Sequence, residues 1–291
     1  MAEPTVEGDE LFLLAESSVS FTWQGRRLHA SVRRGGTGQP LVAIAGFLAG
    51  SATFSPLVAP LRRRFELIIP ELDFSGAADL VTDTGRLADL LAALAAELGS
   101  GSAHWLAHGE FALGALQLGL ERPGLMKALT LLAPPLELDY RFRVRHARLL
   151  FAVGRRSWAR RASLAPYREA RRLLGDVDPL LLHRTLIRRQ ARRFDNEPAT
   201  RAMAQVFGLS LKKSFRRQML QMIVQRAQQP QPFPLPLHIL FGEGDRHSGS
   251  RCRSLLARAF PGSQVTTLPD SGWLPQLEQP QAVVDALFSF P

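Results

Sequence analysis

The chain has 291 residues, 46 % hydrophobic and 21 % charged, with a net charge of +10 and one cysteine. That length suits one large α/β domain with an insertion, or two domains, and the apolar share excludes a disordered chain. The lone Cys252 excludes an internal disulfide and a multi-cysteine metal cluster, and fits a reducing compartment.

The chain opens on the acidic MAEPTVEGDE, with no basic run leading into an apolar one, so no signal peptide is expected. SVSFTWQGRRLHASVRR alternates apolar and polar residues about Gln24-Gly25, the pattern of a hairpin. GGTGQP reads as a loop, and PLVAIAGF as a short apolar strand buried on both faces. SPLVAPLRRRF has helical spacing and FELIIPEL is the next buried strand. TGRLADLLAALAAELG is a helix with Leu87, Leu90, Leu91, Leu94 and Leu98 on one stripe and Gly99 closing it. SAHWLAHG, EFALGALQLGLERPG and MKALTLLAP follow as strand, helix and strand. Such alternation implies a mostly parallel sheet flanked by helices.

From about Pro135 to Gln229 the pattern is helical and rich in arginine. DPLLLHRTLIRRQARRF starts with Asp178 as N-cap and Pro179 at the first helical position, and EPATRAMAQVFG repeats that proline usage. SFRRQMLQMIVQRAQ places Phe215, Met219, Met222, Ile223 and Arg226 along one side. The α/β pattern then resumes with LHILFGEGD, SRCRSLLARAF, QVTTLPDSG and QAVVDALFSF. The organisation is therefore a core in two parts, 1–135 and 231–291, interrupted by an insertion over 136–230. Between Arg141 and Arg226 stand 22 Lys or Arg against 5 Asp or Glu, whereas the rest of the chain holds 14 against 21. A basic insertion in an acidic frame is a solvated helical face or a surface for an anionic partner, such as a membrane. No nucleic-acid motif accompanies the charge, and 2 tyrosines give few stacking platforms. No apolar run approaches the roughly 18 residues that span a bilayer, so a cytoplasmic protein is expected, with peripheral membrane contact through the insertion as the alternative.

The pieces in this order resemble the α/β-hydrolase superfamily with a helical lid inserted before the last strands. AIAGFLAGSATF resembles its first loop, where His-Gly-Phe opens the oxyanion region; Ala45 replaces the histidine while Gly46 and Phe47 remain. LAHGEFALGAL resembles the nucleophile elbow G-x-S-x-G, with Ala107 and Phe111 at the glycine positions and Gly109 at the serine's. ILFGEGD resembles the strand and loop that carry the acid, which assigns that role to Asp245. PDSGWLPQLEQPQAVVDALFSF resembles the histidine segment, with Trp273 at the histidine's position. Gly109, Asp245 and Trp273 are thus expected to be vestigial triad positions: glycine has no nucleophile, and an indole N–H donates but accepts no proton.

Gly46, Phe47, His108, Glu110 and Trp273 are the expected pocket. His108 reads as a packing residue and Glu110 as a helix N-terminal charge. His247, two residues past Asp245, reads as a surface histidine. Glu110 and His247 are also the acid/base candidates for chemistry without a covalent intermediate. Cys252, between Arg251 and Arg253 on a helix, reads as structural. RRGGTGQP lacks a P-loop's Lys-Ser/Thr ending and precedes a strand, and no His or Cys spacing suggests zinc. No cofactor and no metal are expected. The resulting expectation is a non-hydrolytic protein of this fold that binds a protein partner or a small apolar ligand. The alternatives are a lyase, cyclase or isomerase using the space between core and lid, and a basic lid docking on anionic membrane.

Overall fold

The computed structural model describes residues 10–47, 49–136, 202, 205, 206, 209, 210, 212–245 and 250–289. The helices expected over Asp178–Phe194 and most of the inserted segment lie outside them, as does His247. Among the described residues, eight strands form one sheet in the order β1-β2-β4-β3-β5-β6-β7-β8. The strands are β1 (Ala15–Trp23), β2 (Arg26–Gly36), β3 (Gln39–Ile44), β4 (Phe65–Asp73), β5 (Ala103–His108), β6 (Met126–Leu132), β7 (Leu237–Gly242) and β8 (Gln264–Leu268). The β1–β2 hairpin turns at Gln24-Gly25, and β2 joins β4 antiparallel; every other pairing is parallel. This is an α/β-hydrolase fold, mostly parallel and flanked by helices.

One expected loop is shorter than the sequence suggests. Gly35 and Gly36 pair with Leu67 and Glu66 of β4, so β2 runs on through them and only Thr37-Gly38 separates it from β3. Continuing the ladder satisfies backbone groups that a loop would leave to solvent.

The helices are α1 (Ser55–Leu61), α2 (Thr84–Leu98), α3 (Glu110–Glu121), α4 (Lys213–Gln228), α5 (Ser250–Ala259), α6 (Pro275–Glu278) and α7 (Pro280–Phe288). Asp83 caps α2 by accepting from the Arg86 N–H at 2.9 Å, and Gly99 ends it in the left-handed region. The five leucines of its stripe are all buried. β5 and β7 are buried along their whole length, as parallel strands covered on both faces must be. One face of the sheet packs on α2, α3, α4 and α5. The other packs on α1, α6 and α7. No helix among the described residues is long and apolar enough to cross a membrane.

α4 forms where its spacing predicts, with a shifted face. Phe215, Met219 and Ile223 are buried as expected, but Ala227 and Arg216 join them while Met222 and Arg226 are only half-buried. Strict i, i+4 steps from Phe215 lead to Ala227, and the adjacent Arg216 turns inward with them.

Polar pairs sit inside the sheet under α7. His104 Nε2 lies 2.9 Å from Thr130 Oγ1, and His238 Nε2 lies 2.9 Å from Thr266 Oγ1. Burial, aided by the charge His238 would carry, lowers the His104 pKa from 6.5 to about 4. Burial also lowers that of His238, against the pull of the Ala286 carbonyl. Between these limits the unfolded chain binds a proton that folded His104 refuses, so stability rises with pH through the window. Acidification from neutrality to about pH 4 is expected to remove on the order of 3 kcal/mol through His104. Urea denaturation across that range measures the slope, and His104→Gln should flatten it; an undiminished slope in the variant would place the acid sensitivity elsewhere.

Candidate functional site

Parallel strands end on the same edge of the sheet, and the loops leaving β3, β5, β7 and β8 gather there. β3 delivers Ala45, Gly46 and Phe47; β5 delivers His108 and Gly109 into α3; β7 leads to Asp245; β8 leads to Trp273. The edge thus collects every described residue that the sequence marks as a site candidate.

Gly109 forms the sharp turn between β5 and α3, with φ 62° and ψ −132°. A residue with a Cβ is strained there. Its N–H donates to the Leu132 carbonyl at 3.0 Å, tying the turn to the end of β6. Space is also limiting: a Cβ at position 109 would stand 3.2 Å from Trp273 Cζ2 and 3.3 Å from Gly46 Cα. Gly46 is equally confined, since a Cβ there would lie 2.9 Å from a Glu110 carboxylate oxygen and 3.2 Å from His108 Nδ1.

His108 is buried and its hydrogen bonds assign its tautomer. Nδ1 accepts from the Gly46 N–H at 3.2 Å, so Nε2 carries the hydrogen and donates to the Trp273 carbonyl at 2.8 Å. The ring also meets the Trp273 indole, centroids 4.4 Å apart and planes at 65°. His108 therefore clamps the loop after β3 to the loop after β8.

Glu110 stands at the first position of α3, as expected, yet it is 6 % exposed rather than solvated. Its carboxylate accepts from the Phe47 N–H at 3.3 Å and from its own backbone N–H. The second charged group is Arg216 of α4, 4 % exposed, which donates to the Ser210 carbonyl at 2.9 Å and attracts the Glu110 carboxylate. Burial pushes the Glu110 carboxyl above its ordinary range, while the two amides and Arg216 pull it back.

Aromatic rings fill the space beside these groups. Phe47 meets Phe111 edge-on at 5.1 Å and Phe74 at 5.6 Å. The cavity left between Phe47, Phe111, Ser51 and Glu71 measures about 20 Å³, which is room for one water.

Asp245 is buried, and its loop is stitched to the one after β8: the Gly244 N–H donates to the Ser271 carbonyl at 2.8 Å and the Glu243 N–H to the Leu268 carbonyl at 2.9 Å. Trp273 is buried too. Its loop is held by Glu278, which accepts from the Gly272 N–H at 2.6 Å and from Ser271 Oγ at 3.1 Å. Burial raises the Glu278 carboxyl pKa against those bonds. Cys252 lies buried on α5. Sequence reasoning missed Arg216 and Glu278. No local pattern marks Arg216, whereas the signal for Glu278 is its spacing from Gly272.

A profile of the alpha/beta hydrolase family matches residues 41–286. No curated protein matches the chain. Among solved structures, the chain is similar to a thermophilic esterase from Thermogutta terrifontis, at 20 % identity and a TM-score of 0.67 over 94 % of this chain and 97 % of that one. It is similar to the epoxide hydrolase CorEH, at 17 % identity and a TM-score of 0.70 over 95 % and 98 %. An alpha/beta hydrolase fold protein from Burkholderia ambifaria gives 20 % identity and a TM-score of 0.71 over 93 % and 96 %. Likeness at these identities concerns the fold.

The turn geometry and its tight surroundings predict the effect of adding one carbon. Gly109→Ala is expected to destabilise by about 1–3 kcal/mol through backbone strain alone, with more from the indole contact. Thermal or urea denaturation reads this directly, and an unchanged midpoint would mean the turn has relaxed into another conformation.

Proposed function

The chain belongs to the alpha/beta hydrolase family, and from that premise we propose a member that works by binding a protein partner or a small apolar ligand, not by a Ser-His-Asp relay. The observation that carries this reading is the Glu110 carboxylate resting on the amides of Phe47 and Glu110. In this fold the amide after the nucleophile and one from the first loop are the donors that stabilise a developing oxyanion. A carboxylate already seated on them leaves the developing charge without its donors. The loss of one such donor alone slows a hydrolase by roughly 100- to 1000-fold.

Two further features support the same reading. Gly109 brings no hydroxyl to the turn, and Trp273, with its indole against His108, brings no proton acceptor. Losing nucleophile and base together removes about six orders of magnitude from a serine hydrolase. His108 does not take the base's part, because its one acceptor nitrogen already holds the Gly46 N–H. The Phe47–Phe74–Phe111 cluster fills the first-loop side of the site, so an occupant enters by displacing side chains.

A second reading keeps chemistry at the elbow. Glu110 is a buried carboxyl whose pKa is raised by desolvation, the property of a general acid or base that works without a covalent intermediate. Under that reading a lyase, cyclase or isomerase activity would vanish in Glu110→Gln while binding persists.

A serine-directed fluorophosphonate is expected to leave the purified protein unlabelled. The double variant Gly109→Ser with Trp273→His is expected to remain without esterase activity on a p-nitrophenyl ester, because Ala45, Ala107 and Phe111 also depart from the family pattern and Glu110 still fills the donors. Stoichiometric serine labelling of the natural chain, or strong turnover by the double variant, would overturn the binding reading.

A further inference from the structure

We propose that the outer edge of β1 joins that of a second copy of this chain, in an antiparallel pair centred on Val19 that merges the two sheets into one. β1 lies at the opposite end of the strand order from β7 and β8, so this pairing is independent of what the elbow binds.

β1 is an end strand of the sheet, and all nine of its residues pair with β2 without a register shift. Natural edges of this length are ordinarily blunted by lysine, proline, a bulge or a covering element. β1 has no lysine, proline or bulge, and its one charged residue, Glu16, is ion-paired with Arg33 of β2. The direction of its backbone groups follows from the hairpin. Gln24 and Gly25 both have positive φ, 50° and 73°, as the two central residues of a type I′ turn must. The turn closes Trp23 on Arg26, so Trp23 directs its backbone groups toward β2. Alternation sends those of Phe21, Val19, Ser17 and Ala15 the same way, and those of Thr22, Ser20, Ser18 and Glu16 outward. Among the described residues, nothing pairs with that outward row. β8, the other edge, is only five residues long.

The strand is complementary to its own reverse. With a two-fold axis at Val19, Ala15 meets Trp23, Glu16 meets Thr22, Ser17 meets Phe21 and Ser18 meets Ser20 of the second copy. The whole strand then pairs, and Glu16 faces a hydroxyl instead of its own copy. The outward backbone groups of Ser18 and Ser20 bond across the axis, as do those of Glu16 and Thr22. The faces match as well. Phe21 and Trp23 are buried on the side of the sheet that α2 covers, and in this register residues on that side meet residues on the same side. Val19 packs on the same core but is only half-buried, and its copy completes its cover. A closed two-fold pair satisfies both β1 edges at once, which is why a second copy fits this edge.

Analytical ultracentrifugation of the full chain is expected to show a dimer at about 100 μM. Ser18→Pro removes an outward N–H without touching the ladder to β2, and should leave a folded monomer. If that variant does not fold, Ser18→Lys combined with Ser20→Lys takes its place. Each lysine then stands opposite another, and the dimer dissociation constant should rise at least about tenfold. Oxidative cross-linking, with Cys252→Ala as background, reads the register. Val19→Cys should couple to a second copy, because residues at the axis form a non-hydrogen-bonded pair with Cα atoms about 4.5 Å apart. Ser17→Cys should stay uncoupled, since it lies roughly 13 Å along the strand from its own copy. A natural chain that is monomeric at this concentration overturns the proposal and leaves the edge to an extended segment of another protein. A dimer that keeps its affinity in the folded edge variants overturns it too, as does one in which Ser17→Cys couples as readily as Val19→Cys.

Discussion

A carboxylate withdrawn from water must find compensation, and the arrangement of the elbow follows from how Glu110 finds it. Its oxygens take the Phe47 amide and its own, and the positive charge of Arg216 on α4 favours its ionised form. Each contact constrains a neighbour. The Phe47 amide is reachable because Gly46 has no side chain in the way. The Gly46 amide, left over, goes to His108, which fixes the imidazole's tautomer and turns its other nitrogen toward the Trp273 carbonyl. Three loops from distant parts of the chain are thereby locked around one buried carboxyl group.

The same lock gives the turn at Gly109 a physical meaning. A strained backbone is kept at a functional apex when the side chain it presents is needed. Glycine relieves the strain and admits the indole against the turn, so the apex becomes a packing element. Burial that would otherwise harbour a reacting group is taken up by Trp273, Phe47 and Phe111.

Much of this was legible in the residues. Period-2 alternation marked the hairpin, unbroken apolar runs marked β3, β5 and β7, and the leucine stripe marked α2, because burial on one face or two leaves a periodic trace. The order of elements and the elbow, acid and histidine segments gave the fold and the positions to inspect. What was not legible was the burial of Glu110. A carboxylate at a helix start reads as a solvated charge, and only the approach of the loop after β3 makes it an inward one. Arg216 was hidden for a related reason: one arginine among the 22 basic residues between Arg141 and Arg226 carries no mark of turning inward. The extension of β2 through Gly35 and Gly36 was also hidden, since glycines read as punctuation until a neighbouring strand is present to pair with them.

The imidazole–hydroxyl pairs inside the sheet have a consequence for assembly of the fold. Aliphatic residues on neighbouring parallel strands are nearly interchangeable, so an all-apolar sheet tolerates sliding of one strand past the next. His104 meets Thr130 across β5 and β6, and His238 meets Thr266 across β7 and β8. Displacing either strand by one residue would turn the imidazole to the opposite face and strand it among hydrocarbon. The two pairs therefore act as keys that admit a single alignment of the strands on which the elbow is built.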